Sequence, residues 1–257
     1  MTIYNFLINK KFNFYMVLKI IITFLLLNLH IFFGFLIILF FPFINIGLRN
    51  IIIKLWSSIL LKILSIKLSC ENHNIVINNN NFFVGNHISW LDIILINTLK
   101  PSLFVAKVSI KKWPILGFMI KLSGTIFLNR SSRSSLIKTT KKIKHLIKYN
   151  SVFIFPEGFA TDGSSLNKFH SNFFQVPIDI KKSIYPVAIR YSRNGHFTDA
   201  SAYIGDDTLI KSIIRIIKAN GINAHVIFCK SISSNKLNRK ELALKTQEII
   251  KSHLNQD

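Results

Sequence analysis

The sequence predicts a layered α/β domain that carries an N-terminal membrane-binding helical segment. Three observations lead there. Ile20 to Leu48 contains no Asp, Glu, Lys or Arg, and Phe and Leu dominate it. From Glu71 onward, short β-prone apolar runs alternate with helical patterns of roughly 10–15 residues, the signature of layered α/β architecture. The 257 residues suffice for one sizeable domain plus a short appendage. The boundary is placed at residue 70, with membrane-associated helices over 1–70 and the α/β domain over 71–257.

A bilayer core needs about 20 apolar residues, so the run ending at Leu48 is long enough. It is too long for the apolar part of a cleaved signal peptide and lacks a small-residue cleavage pattern. The segment Asn50 to Ser69 differs: Asn50, Lys54, Ser57, Lys62, Ser65 and Ser69 form a thin polar stripe on an otherwise apolar pattern. That stripe predicts a helix lying in the membrane interface, its lysines reaching the headgroups. Lys10, Lys11 and Lys19 precede the apolar run and Arg49 and Lys54 follow it. The positive-inside tendency therefore favours a hairpin dipping into the membrane, with a single span as the competing reading. Either way the expected location is the cell's inner (cytoplasmic) membrane, with the domain on the cytoplasmic side.

Within the domain, Phe82 to Val84 reads as a short buried strand. Ser102 to Lys107 follows as a strand and Ile110 to Leu122 as a short helix punctuated by Trp113-Pro114 and Gly117. Thr125 to Asn129 is a strand, and Arg133 to Tyr149 a helix with a heavily basic outer face. Strands are expected over Ser151 to Phe155, Ile184 to Tyr191 and Ala224 to Cys229, and helices over Asp207 to Ala219 and Leu237 to Leu254. No internal repeat or long low-complexity linker interrupts them.

Net charge is +22, from 33 Lys+Arg against 11 Asp+Glu. Such a balance suits a polyanion, nucleic acid or an anionic membrane face. With half the residues hydrophobic and a mean hydropathy of +0.38, the membrane is favoured. The basic residues are interleaved with aliphatic runs and no zinc-finger or RNP-type signature occurs, which argues against a nucleic-acid partner. The abundance of Ile, Asn, Lys and Phe is also what an AT-rich coding sequence imposes. Cys70 and Cys229 have no metal-ligand spacing and are expected as free thiols in a reducing compartment.

The chain is organised around Asn81 to Leu95. Gly85 and Asn86 are turn formers at the end of the first strand. Ser89 opens a Ser-x-x-Asp pattern ahead of Ile93 to Ile96, a helix N-terminus signal. His87 and Asp92 thus flank a strand-to-helix turn. On a continuous helix, five residues would set them roughly 140° apart, so a contact between them requires this break. An imidazole held by a carboxylate is a general base, because the carboxylate fixes the tautomer and stabilises the imidazolium. No enzyme nucleophile stands beside it, so the pair suits activation of a substrate hydroxyl. The plainer alternative makes Asp92 a capping acid and His87 a loop residue.

Arg130 ends the strand of Gly124-Thr-Ile-Phe-Leu-Asn-Arg130, a natural place to hold a phosphate or carboxylate. Glu157 sits on a Pro-Gly turn after Phe153-Ile-Phe. Ligands of open α/β sheets bind outside the carboxyl ends of strands, where His87, Arg130 and Glu157 would meet. Only Glu71 and Asp92 are acidic among the first 150 residues, so an acid at a strand-turn junction stands out. An exposed strand-end charge for Arg130, and a turn residue balancing a lysine for Glu157, are the plainer alternatives.

Four blocks in order resemble the glycerolipid acyltransferase family, of the 1-acylglycerol-3-phosphate acyltransferase type. They are Asn86-His-Ile-Ser-Trp-Leu-Asp92, Gly124 to Arg130, Phe155-Pro-Glu-Gly158 and Tyr185-Pro-Val-Ala188; Phe104-Val-Ala-Lys107 and Trp113-Pro-Ile-Leu-Gly117 resemble the intervening segment. The likeness covers roughly residues 70 to 230. It implies a mixed-sheet acyltransferase domain on an N-terminal membrane-binding segment. It implies acyl transfer from acyl carrier protein or coenzyme A to a lysolipid hydroxyl, with no metal and no cofactor. His87 and Asp92 take the place of the family's catalytic dyad. Arg130, Glu157 and Gly158 match its acceptor-binding positions, with Gly124 and Lys107 as further substrate-binding candidates. The expected acceptor is lysophosphatidate, giving phosphatidate. One departure bears on that: the family's commonest third block continues Thr-Arg after Glu-Gly, whereas this chain has Phe159-Ala160-Thr161-Asp162-Gly163. Lys168-Phe-His-Ser171 resembles instead the branches that include lyso-ornithine-lipid acyltransferases. An inactive membrane adaptor is the remaining rival, against which His87, Asp92 and Glu157 all speak.

Overall fold

The computed structural model describes residues 2–76, 80–129 and 131–254. It opens with helix α1 (Thr2–Ile38), a 3₁₀ turn (Phe41–Phe43) and helix α2 (Ile46–Ile63), whose first turn is capped by the Asn45 side chain accepting from Leu48 N–H. The stretch Phe14–Phe43 is long and apolar enough to cross a membrane, and only 22% of its most apolar window is buried. The two helices pack together where the His30 ring stacks on Trp56, centroids 4.6 Å apart. Gly34 makes the approach possible, since a Cβ there would collide with the Trp56 indole nitrogen.

The helix expected over Asn50 to Ser69 ends earlier, at Ile63. Ser65 takes a left-handed conformation (φ 57°), Ile66 N–H bonds Leu61 C=O at 2.9 Å and Ser65 N–H bonds Lys62 C=O at 3.0 Å. This is a Schellman closure, usually built on glycine. The chain leaves it directly into strand β1 (Lys67–Glu71), so Ser69 lies in a strand.

The remaining elements are β2 (Phe82–Gly85), α3 (Leu91–Leu99), β3 (Ser102–Lys107), α4 (Leu116–Leu122), β4 (Ile126–Leu128), α5 (Arg133–Leu146), β5 (Ser151–Ile154), α6 (Gln175–Asp179), β6 (Ile184–Arg193), β7 (His196–Phe197), α7 (Leu209–Ala219), β8 (Asn223–Phe228) and α8 (Arg239–Leu254). The helix expected over Ile110 to Leu122 is divided. A 3₁₀ turn covers Val108–Lys112, Pro114 separates it from α4, and Ile115 adopts φ 56°. Residues 171–179, which carry no clear periodicity, form a 3₁₀ turn running into α6.

The strands form one mixed sheet in the order β1-β8-β6-β2-β5-β3-β4, with β7 pairing β6. β2 runs parallel to both its neighbours, Val84 opposite Ile154 on one side and Pro186 on the other. β6 and β8 are antiparallel. Phe82, Phe83 and Val84 are all fully buried, which explains their unbroken apolar run: β2 is covered on both faces. One face packs Phe83 against α2 and its C-cap (Leu60, Leu61, Leu64) and α3 (Leu91, Leu95, Ile96). The other packs Phe82 and Val84 against Ile143 and Ile147, at and beyond the end of α5, and α8 (Leu242, Ile250). The carboxyl ends of β2, β5 and β3 therefore lie side by side on one edge.

Candidate active site

The site is built where β2 stops. A Cβ on Gly85 would lie 2.6 Å from Phe153 Cζ and 3.1 Å from the Val187 carbonyl oxygen, so only glycine lets the strand end this close to both neighbours. The backbone then leaves the sheet and the Asn86 side chain continues the ladder in its place. Its amide nitrogen donates to Ile189 C=O at 2.9 Å and its oxygen accepts from Ile189 N–H at 2.8 Å.

His87 follows, and the contact that the strand-to-helix break permits is present: Nδ1 lies 2.8 Å from Asp92 Oδ2. Asp92 is fully buried, whereas the His87 side chain is 21% exposed. The same Asp92 Oδ2 accepts the N–H of Ile88 at 2.7 Å and of Ser89 at 2.9 Å, while Ser89 Oγ accepts from Leu91 N–H. Closing the turn and holding the imidazole are thus one arrangement. The carboxylate that closes the turn leading into α3 also fixes the His87 tautomer, with Nδ1–H on the carboxylate and the lone pair on Nε2. The helix N-terminus adds favourable dipole to its charge.

Glu157, after β5, reaches under the same turn. Oε1 accepts the His87 N–H at 2.8 Å and Oε2 accepts the Asn167 N–H at 2.9 Å. It is 1% exposed. Burial pushes its pKa above the usual carboxylate value, the two N–H donors and His87 opposing, the Asp92 charge adding to the rise. Here the side chain braces the His87 turn from below. Gly158 (φ 85°) supplies the left-handed turn that aims it, its N–H on Phe155 C=O. The His87 ring stacks on Phe155 at 4.1 Å, and His87 C=O accepts Thr161 N–H at 2.8 Å.

The other expected substrate-binding residues are spread along the edge. Lys107 ends β3, exposed, two strands from β2. Gly124 (φ 94°) closes α4, its N–H on Lys121 C=O, with Leu103 filling the space a side chain would need. Arg130 lies outside the described residues. Among the described residues, no group of His, Cys, Asp and Glu is arranged to hold a metal ion.

Tyr191 belongs to the site and was not expected there. Its hydroxyl donates to Asp92 Oδ1 at 2.6 Å, across 99 positions of sequence. Its only signal was a polar-tipped aromatic at the end of an apolar strand.

Residues 67–190 match the Acyltransferase family. A lyso-ornithine lipid O-acyltransferase from Pseudomonas aeruginosa is 32% identical over 169 residues, 66% of this chain and 66% of that protein, so the chain aligns with just under two thirds of that relative's length. A 1-acyl-sn-glycerol-3-phosphate acyltransferase from Neisseria meningitidis is 33% identical over 171 residues, 65% of this chain and 67% of that one. The crystal structure of the LPA acyltransferase PlsC from Thermotoga maritima superposes with a TM-score of 0.69, covering 94% of this chain and 95% of the other at 20% identity, a likeness of fold.

Proposed function

Since this chain belongs to the acyltransferase family, we propose that it moves a fatty acyl group from a thioester onto the free hydroxyl of lysophosphatidate at a membrane surface. The observation that carries the reading is the buried Asp92 carboxylate 2.8 Å from His87 Nδ1 on a partly exposed imidazole. With Nδ1–H on the carboxylate, Nε2 takes the proton of the acceptor hydroxyl as its oxygen attacks the thioester carbonyl. The tetrahedral intermediate collapses to the ester, the thiolate departs, and Nε2–H returns the proton to it. Phe155 stacks on the imidazole and Glu157 holds its backbone, so the base moves little between these steps. Arg130 and Lys107 are assigned to the acceptor's phosphate side, with Gly124 and the Gly158 turn on the same edge, while Glu157, buried with both oxygens on backbone N–H groups, is assigned to holding the His87 turn instead of the acceptor. The donor is acyl carrier protein or coenzyme A carrying the acyl thioester, with no cofactor beyond it. Apolar α1 supports a membrane location, which we assign to the cytoplasmic face of the inner membrane.

A second reading rests on Ala160, where the commonest third block carries an arginine, and on Lys168 to Ser171. Both suit an acceptor without a phosphomonoester, such as lyso-ornithine lipid. The test incubates membranes containing the protein with a panel of lysolipids and both donors. Lysophosphatidate should be acylated, and His87→Ala should lose about 10²–10⁴-fold while remaining folded. Acylation of lyso-ornithine lipid alone would transfer the assignment to that acceptor. A folded His87→Ala at wild-type rate would remove the mechanism.

A further inference from the structure

We propose that Tyr191 is a positioning residue for this chemistry, the outer member of a buried Tyr191–Asp92–His87 chain of hydrogen bonds; this rests on the acyl-transfer reading above. Asp92 Oδ2 is committed to three donors, His87 Nδ1 and the N–H groups of Ile88 and Ser89. Oδ1 faces the opposite way, into the core, and takes the Tyr191 hydroxyl at 2.6 Å. Both side chains are sealed, Asp92 at 0% and Tyr191 at 2% exposure, so no water stands in for the phenol. Without that donor one carboxylate oxygen would be left unpaired in an apolar layer, the situation a buried charge avoids by rotating or taking up a proton. Either response withdraws the acceptor from His87 Nδ1–H and releases the tautomer.

The placement gives the contact its purpose. Tyr191 sits on β6 beside β2, two residues beyond Ile189, which Asn86 grips through its side chain. The catalytic turn is therefore referred to β6 at both ends, by Asn86 where it leaves β2 and by Tyr191 where it enters α3. The phenol is a donor only: burial and the Asp92 charge hold its pKa well above the usual tyrosine range, so it keeps its proton throughout. It takes no part in proton transfer, and acts on His87 solely through Asp92.

A core tyrosine that has merely found the nearest acceptor would affect stability and nothing else. The two cases separate in a double-mutant cycle on the full-length protein in detergent, using Tyr191→Phe, Asp92→Asn and the pair. Tyr191→Phe should lower kcat about ten- to hundredfold, the loss typical of one hydrogen bond to a charged group, and leave both KM values within about twofold. In the Asp92→Asn background the same substitution should change kcat by less than about twofold, because the chain is already broken. A wild-type kcat in Tyr191→Phe, or equal losses in both backgrounds, overturns the proposal. Should the Phe variant fail to fold, fluorotyrosine at 191 keeps the shape while making the phenol a stronger donor, and the His87 imidazole ¹⁵N resonances should then move. Unmoved resonances overturn the proposal. A wild type silent with every lysolipid and thioester fails the acyl-transfer reading alone, since the resonances still report the link.

Discussion

At the scale of single residues the site is a set of side chains that each satisfy two demands. Asp92 closes the turn ahead of a helix and holds an imidazole; Asn86 ends a strand and continues its ladder; Glu157 turns two backbone donors toward one buried carboxylate. Glu157 allows a test by pH. Its pKa in the folded chain lies above the ordinary 4.5, chiefly through burial. A raised carboxyl contributes stability that is fully present below the unfolded value and is lost as pH rises through the folded one. The unfolding free energy of the wild type relative to Glu157→Gln should therefore decline as pH is raised from about 4.5. Urea titrations across that range measure it, and a difference that rises instead contradicts the assignment. The His87–Asp92 contact was legible because Ser-x-x-Asp and the turn formers before it all lie within a dozen residues. Tyr191 was not, because its approach depends on β6 lying parallel beside β2, a pairing that no local pattern encodes.

At the scale of elements, local signals succeed where the breaker is a residue type and fail where it is a conformation. Pro114 divided the 110–122 segment visibly, even though the first half became a 3₁₀ turn. Ser65 closed α2 invisibly, because a serine at φ 57° leaves no mark on a hydropathy pattern, and strand β1 was hidden with it. A left-handed L-residue costs about 1–2 kcal/mol, and glycine recovers most of that while losing up to about 1 kcal/mol in unfolded-state entropy. Ser65→Gly should thus stabilise the protein by roughly 0.5–1 kcal/mol, and Ser65→Val should destabilise it. A chemical-denaturation midpoint that moves down for glycine contradicts the closure described.

For the whole molecule, α1 and the turn that joins it to α2 present an apolar outer surface that no described element covers: Phe32, Phe33, Phe40 and Phe43 are 55%, 57%, 64% and 84% exposed. A surface of that size marks contact with another apolar phase. Burial of several phenylalanines outweighs the roughly 1 kcal/mol per cation that an anionic leaflet adds. High salt should therefore leave the protein on membranes, while replacing those four phenylalanines by serine should release most of it in a flotation assay. Release by salt alone would reverse that ranking. The layered α/β class and the order of most elements were readable from alternation. The sheet order was not, since β1 joins the far edge beside β8, the last strand.

The packing of α2 on α3 has a further consequence. Leu60, Leu61 and Leu64 meet Leu91, Leu95 and Ile96 in one core, and the first turn of α3 carries Asp92, the acid that holds the His87 imidazole. The N-terminal helices are for this reason no leash, whose length and composition are free to drift. They form one wall of the core on which the His87–Asp92 turn is seated. Grafting an unrelated anchor onto the sheet would leave the His87–Asp92 turn slackened, and, on the acyl-transfer reading proposed above, any solvent that draws α2 off α3 should silence activity while the sheet still stands.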